Sequence, residues 1–153
     1  MIVTPSSDRE WLALTGFLRD YALIMPTPDT QCIGWVSDDK LVIVVGLNGF
    51  LGSVAQIHLA MAEGWHFSPR EMLREVFRYA FITAKREMLL GLVNSKNEKA
   101  LRMDAHLGFR EIFRLPGMHD DGGDIVVLAM KKSECRYLDP EPASIEVAEA
   151  GSA

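Results

Sequence analysis

The fold is decided by residues 89–114, which read Leu-Leu-Gly-Leu-Val-Asn-Ser-Lys-Asn-Glu-Lys-Ala-Leu-Arg-Met-Asp-Ala-His-Leu-Gly-Phe-Arg-Glu-Ile-Phe-Arg. Leu89 to Val93 is too short an apolar run for an isolated helix and ends in the turn-prone pair Asn94-Ser95. This stretch therefore predicts a short buried strand followed by a polar break.

A helix and a second strand follow this break. Asn97 is expected to cap the helix, because a short side-chain acceptor satisfies free amides of the first turn. Gly108 supplies the left-handed residue that ends it. The apolar side of the helix is formed by Ala100, Leu101, Met103 and Leu107. From 109 to 115 the pattern becomes strand-like, and its candidate buried residues are Phe109, Ile112 and Phe113.

The same residues carry a resemblance to a known family. The motif Asn97-x-x-Ala100-x-x-x-Asp104-x-x-x-Gly108-Phe109 resembles the signature of the GNAT superfamily of acyl-CoA-dependent N-acyltransferases. The spacing agrees throughout, but Asp104 stands where the family usually has tyrosine. The order of predicted elements over roughly residues 8–131 also agrees with that family.

The remaining elements are predicted from caps, turns and periodicity. Helices are expected from Arg9 to about Leu23, after Asp8, and from Pro69 to Ala84, with Ser68 as its cap and Glu71 completing a capping box. Strands are expected at 31–36, 40–47 and 124–130. Asn48-Gly49 predicts a two-residue hairpin turn, and the returning strand is expected to run from Phe50 or Gly52 to Met61.

These elements predict an α/β (α+β) fold: a twisted, mixed, mostly antiparallel sheet of six or seven strands flanked by helices, as in GNAT proteins. Residues 1–138 are expected to form one domain. Residues 139–153 hold four acids, two prolines and no Lys or Arg, which is typical of a disordered tail.

Composition narrows the class of protein. The net charge is −5 at pH 7, and removing the four tail acids from the 21 acidic residues leaves 17 against 16 basic ones. Such a chain lacks the basic footprint of a nucleic-acid binder. The opening residues show no signal peptide, and Leu41 to Ala62 is too interrupted by Gly and polar residues to span a membrane. We therefore expect a cytoplasmic protein whose Cys32 and Cys135 are reduced thiols.

The resemblance implies a place for acetyl-CoA as co-substrate. In GNAT proteins the fourth and fifth strands part, and the pantetheine arm lies in the gap against the fourth-strand backbone. That backbone corresponds here to Ile57, Leu59 and Met61. The pyrophosphate is expected at the start of the next helix, near Ser68 and Arg70, where free amides attract anions. Asn94 and Asn97 are expected beside the cofactor.

Two departures from the family pattern leave an alternative open. At the phosphate turn the chain has Trp65-His66-Phe67-Ser68-Pro69-Arg70 instead of a glycine-rich turn. Proline lacks an amide, a capping Ser68 would occupy another, and Glu71 adds negative charge, so each change weakens an anion site. Asp104, unlike tyrosine, has no proton to give at neutral pH unless burial raises its pKa by several units.

His58 is the best candidate for a catalytic base, because it lies on the polar side of the strand expected to hold the thioester and titrates near neutral pH. Asp104 is expected to hold or deprotonate the incoming amine. Glu63, His66 and His106 are weaker candidates for the base. His119 beside two loop acids is not sufficient evidence for a metal site, so none is expected.

The sequence thus favours an N-acetyltransferase that moves an acetyl group from acetyl-CoA to a primary amine of a small molecule or protein. Neither a nucleic acid nor a membrane is expected as a partner, and a homodimer is an open option. The alternative is a catalytically silent GNAT-fold protein with a binding or structural role, for example a phage-encoded particle component. An enzyme with another acyl donor is a third option.

Overall fold

Seven strands form one sheet in the computed structural model, which describes residues 1–66 and 68–139. The order across the sheet is β1-β2-β3-β4-β5-β7-β6, and every neighbouring pair is antiparallel except β4 and β5. The strands are β1 (Ile2–Val3), β2 (Gln31–Ser37), β3 (Lys40–Leu51), β4 (Val54–Met61), β5 (Met88–Asn94), β6 (Arg110–Leu115) and β7 (Ile125–Lys131). This mixed, mostly antiparallel sheet with flanking helices confirms the predicted fold class.

Three α-helices complete the fold: α1 (Asp8–Ala22), α2 (Arg70–Arg78) and α3 (Glu98–Leu107). A π-helical turn, Tyr79–Thr83, continues α2, and a short 3-10 helix, Lys132–Glu134, follows β7. None of the helices in the described ranges is long and apolar enough to cross a membrane.

The two faces of the sheet are covered by different helices. Helix α1 packs on one face, where Leu18 fills the space that a side chain at Gly46 would need. Helices α2 and α3 pack on the other face. There Phe77 is buried with Ala55 and Leu89 in one cluster that also takes in Leu107 of α3. We call these the α1 face and the α2/α3 face.

The predicted hairpin turn at Asn48-Gly49 is wrong. Strand β3 continues to Leu51, and the chain reverses at Gly52 and Ser53. Gly49 does have a positive φ of 61°, but Asn48 does not, so the pair cannot form a type I′ turn. Instead the register shifts between Asn48 and Leu51, which makes a β-bulge inside the strand. Strand β4 accordingly begins at Val54.

Strand β6 also differs from the prediction. Phe109 is buried as expected, but Ile112 is 45% exposed and Phe113 61% exposed. Strand β6 lies at the edge of the sheet. Phe113 pairs with Val127, which pairs in turn with Leu92, so the three side chains share the α1 face. Helix α1 packs over β2, β3 and β4 and leaves that end of the face uncovered. Alternation alone could not show which face lacks a helix.

Both cysteines are free, and Cys32 is buried beneath α1. The predicted tail begins with Asp139, whose carboxylate is ion-paired with Arg74 of α2. The rest of that tail, residues 140–153, lies outside the described residues.

Candidate active site

Strands β4 and β5 part partway along their length. They pair in parallel only from Val54 with Met88 to Gln56 with Leu90. Beyond that point β4 stays on β3 up to Met61, while β5 stays on β7 up to Asn94. Two paired halves of one sheet thus diverge and leave a gap between residues 57–61 and residues 91–94.

The backbone of β4 turns unused hydrogen-bonding groups toward this gap. The amide of Ala62 donates to the carbonyl of Val42 at 2.9 Å, so even-numbered residues of β4 bond to β3. Because bonded and unbonded pairs alternate in an antiparallel ladder, odd-numbered residues direct their N–H and C=O groups to the other side. The bond from Met88 N to Ser53 O agrees with this parity. Leu59 and Met61 therefore present amides and carbonyls to the gap.

His58 lies in the parted segment of β4, and its side chain is on the α1 face. It pairs with Gly46, the residue over which Leu18 packs, and paired residues share a face. Its Nε2 is 2.7 Å from Oδ1 of Asn48, which is itself buried. Burial lowers the pKa of His58 below its ordinary value, so the imidazole is neutral at neutral pH.

Asp104 lies on α3, on the opposite face of the sheet from His58. It follows Leu101 by three residues and precedes Leu107 by three, so it shares their inward side of the helix. No hydrogen bond or ion pair joins its carboxylate to any of the described residues. Burial raises its pKa to about 6. This carboxylate is therefore much closer to holding a proton at neutral pH than an ordinary aspartate.

The start of α2 differs from the prediction. Pro69 is the N-cap and makes no side-chain cap, so the predicted Ser68 cap and capping box are wrong. The Ser68 hydroxyl is instead buried and has no hydrogen-bond partner within the described ranges. The first bond into the helix runs from Leu73 N to Pro69 O at 3.0 Å. The amides of Arg70, Glu71 and Met72 therefore remain without intrahelical partners.

The two predicted asparagines both use their side chains internally. Asn97 caps α3 as predicted, because its Oδ1 accepts from Ala100 N at 3.1 Å. Gly108 ends that helix with a φ of 112°. Asn94 ends β5 on the α1 face, and its Nδ2 donates to Asp121 Oδ2 at 2.7 Å while its Oδ1 accepts from Lys96 N. Asn94 thus ties β5 to the loop between β6 and β7.

The structure brings three of the predicted cofactor residues and His58 together at one feature, the parted segment of β4. Ile57, Leu59 and Met61 line the edge of the gap, His58 lies on its α1 face, and Asp104 lies on the α2/α3 face. The sequence interpretation missed Asn48, which contacts His58, and Thr30, which contacts Asn48. The buried polar residues of the described chain include both of them. The sequence interpretation had assigned Asn48 to a turn with Gly49, which hid its place inside β3.

Comparison with known proteins supports this architecture. No family model matches the chain, and no curated protein matches it. Solved structures do match. A point mutant of a spermidine N-acetyltransferase from Vibrio cholerae superposes with a TM-score of 0.69 at 15% identity, and the match covers 86% of this chain and 94% of that one. The same enzyme in complex with CoA and spermine gives 0.67 at 15% identity, with coverage of 87% and 96%.

A protein of T. thermophilus, provisionally described as an acetyltransferase, superposes with a TM-score of 0.62 at 19% identity over 79% of this chain. The match spans 65% of that protein's length. At these identities the matches show the fold and leave the substrate open. The chain has the GNAT fold.

Proposed function

We propose that this chain, folded as a GNAT protein, transfers an acetyl group from acetyl-CoA to a primary amine. The observation that carries the proposal is the parting of β4 and β5. It leaves the amides and carbonyls of Leu59 and Met61 directed into a gap without a strand partner. An extended amide-containing arm can add to such an edge as another strand would. Pantetheine, with its two amide groups, has this chemistry.

The start of α2 supports a site for the pyrophosphate of the donor. Three amides in its first turn lack intrahelical partners, and a helix N-terminus attracts anions. The exposed guanidinium of Arg70 adds positive charge at the first residue of the helix. Because Ser68 does not cap the helix, one of the departures expected to weaken this site is absent. The residues present thus fit a phosphate group at this position.

The two titratable side chains fit the two proton transfers of the reaction. Neutral His58 takes a proton from the acceptor amine as its nitrogen forms a bond to the thioester carbonyl carbon. The carbon–sulfur bond then breaks, and protonated Asp104 gives its proton to the departing thiolate. We assign this acid role to Asp104 because burial raises its pKa to about 6. Holding the two substrates together supplies much of the remaining rate enhancement.

A silent GNAT-fold protein with a binding or structural role is the second candidate. Two features of α2 favour it: Pro69 has no amide to offer, and Glu71 places a negative charge in the first turn. A charge near a helix end contributes about 0.3–1 kcal/mol, so Glu71 alone would reduce donor affinity modestly, and the missing amide of Pro69 would reduce it further. The two candidates differ in whether the chain binds acetyl-CoA and releases CoA thiol.

The proposal is tested by thermal denaturation with acetyl-CoA, followed by a thiol-release assay with primary amines. At 100 times its dissociation constant, the donor should stabilise the folded protein by about 2.7 kcal/mol. Spermidine is the first acceptor to test, because the structurally similar enzyme from Vibrio cholerae is a spermidine N-acetyltransferase. Lysine-containing peptides are the second.

The control is desulfo-CoA, which keeps the phosphates and lacks the thioester. It should stabilise the protein without supporting turnover. A melting temperature that does not move at millimolar acetyl-CoA would contradict the transferase proposal and favour the silent protein. Stabilisation without thiol release for any amine would leave a binding protein.

A further inference from the structure

A chain of hydrogen bonds runs from His58 through Asn48, Thr30 and Thr27 to Asp29. We propose that this network positions the catalytic base, because it fixes the hydrogen of His58 on Nε2 and leaves the Nδ1 lone pair for the acceptor amine. The inference rests on the proposed function and names its positioning residues, Asn48 and Thr30. None of the network residues other than His58 is expected to touch the substrate.

Asp29 determines which group donates and which accepts each hydrogen bond along the network. A carboxylate only accepts hydrogen bonds. One oxygen of Asp29 accepts from the Thr27 hydroxyl, and the other accepts from the amides of Gly49 at 2.9 Å and Phe50 at 3.3 Å. These bonds, the Thr27 bond foremost, keep the pKa of Asp29 below its ordinary range. The single hydroxyl hydrogen of Thr27 is therefore committed to Asp29.

That commitment fixes the next two groups. The hydroxyls of Thr27 and Thr30 lie 3.1 Å apart, and since Thr27 has no second hydrogen, Thr30 must donate to it. Thr30 Oγ1 then acts as acceptor toward its other partners. It accepts from Thr27 N at 3.0 Å and faces the Asn48 side-chain amide at 3.3 Å. Only the Nδ2 end of that amide can donate to it.

The orientation of the Asn48 amide decides the tautomer of His58. With Nδ2 on Thr30, Oδ1 is the atom 2.7 Å from His58 Nε2. An amide oxygen has no hydrogen, so Nε2 must carry one and neutral Nδ1 keeps its lone pair. Within the described residues, His58 Nδ1 makes no hydrogen bond. It is also not among the side-chain atoms there that are both fully buried and unpaired. Nδ1 therefore has no partner among the described residues and is not wholly enclosed by them.

The β-bulge at residues 48–51 is what makes this network possible. The extra residue turns two consecutive amides, those of Gly49 and Phe50, toward one carboxylate oxygen. The bulge thereby binds the loop of residues 26–30 to β3, beside the strand that holds His58. The same hydrogen bonds therefore order this loop and orient the imidazole of His58.

The test compares two substitutions at buried Thr30. Thr30→Val has nearly the same shape and lacks the hydroxyl, whereas Thr30→Ser keeps the hydroxyl. The tautomer of His58 is read by nitrogen-15 NMR on the full chain at a pH where the ring is neutral. Wild type and Thr30→Ser should show hydrogen on Nε2 alone. Thr30→Val should show a mixture of tautomers, with kcat about tenfold lower and the acceptor KM unchanged.

If Thr30→Val does not fold, Asp29→Ala replaces it, since Asp29 is exposed and removing its carboxylate frees the Thr27 hydrogen. Asp20→Ala on exposed α1 is the control. A single Nε2–H tautomer in these network variants would overturn the proposal. So would a tautomer mixture with unchanged kcat. A wild-type protein without turnover would refute the proposed function instead, while the tautomer readout would still decide whether the network holds the ring.

Discussion

Burial moves the pKa values of the two central side chains toward each other. The pKa of His58 is lowered from its ordinary value, and the pKa of Asp104 is raised to about 6. In each case burial is the cause, and it favours the neutral form. A neutral imidazole can accept a proton, and a carboxylic acid can donate one. In the proposed mechanism, the same physical effect prepares a base on one face of the sheet and an acid on the other.

Asp104→Asn is predicted to stabilise the folded protein above pH 6. The folded carboxyl has a pKa of about 6 against an ordinary 3.8, so folding is penalised where the unfolded chain is ionised. The penalty grows as pH rises from 3.8 to 6 and is then constant. We expect a gain of about 2 kcal/mol at about pH 8 and none at about pH 3.5, measured by urea denaturation.

Asp20→Asn is the control for this measurement. Asp20 is exposed and ion-paired with Arg19, so its substitution should change the free energy of unfolding by less than about 0.5 kcal/mol. A gain from Asp104→Asn that is equal at the two pH values would contradict a buried, titrating carboxyl.

Catalysis is predicted to have a bell-shaped pH profile whose alkaline limb falls through about pH 6. The base must be neutral, so activity falls as pH drops through the lowered pKa of His58. The acid must be protonated, so activity also falls as pH rises through about 6. In Asp104→Asn the alkaline fall should disappear together with most of the rate. His58→Gln should lower kcat by about 100-fold and leave donor affinity unchanged. A profile of kcat/KM without an alkaline limb near 6 would remove Asp104 from the proton transfer.

At the scale of single elements, the sequence predicted α3 and misplaced the start of α2. Asn97 and Gly108 act through local chemistry, a side-chain cap and a left-handed backbone, and both can be read from residue type and spacing. Ser68 has the same local signature but does not cap. Its hydroxyl is turned into the protein, and Pro69 takes the N-cap position. Tertiary placement there overrides the local preference.

Substitutions at Ser68 and Asn97 compare a residue that does not cap its helix with one that does. Asn97→Ala should lower the free energy of unfolding by about 1 kcal/mol, because it leaves the amide of Ala100 without its partner. Ser68→Ala should leave stability unchanged or raise it, because the buried hydroxyl it removes has no partner among the described residues. Urea denaturation of both variants measures this difference. Equal losses would show that Ser68 caps α2 after all.

At the scale of the whole molecule, the proposed function depends on how two halves of a sheet meet. Strands β1 to β4 form one half, strands β5 to β7 the other, and they share only three paired positions. Alternation of apolar residues predicted each strand, but it contains no signal for where neighbouring strands part. That expectation came from the family resemblance. The polar network at His58 was likewise hidden, because its members come from three separate segments of the chain.

Amide hydrogen exchange, measured residue by residue with and without acetyl-CoA, tests the open gap most directly. Without donor, the amides of Leu59 and Met61 should exchange faster than those of His58 and Ala60, which bond to β3. Saturating acetyl-CoA should slow Leu59 and Met61 and the first turn of α2, and leave β1 and β2 unchanged. Equal protection of all four β4 amides without donor, or donor-induced protection that misses Leu59 and Met61, would contradict this account.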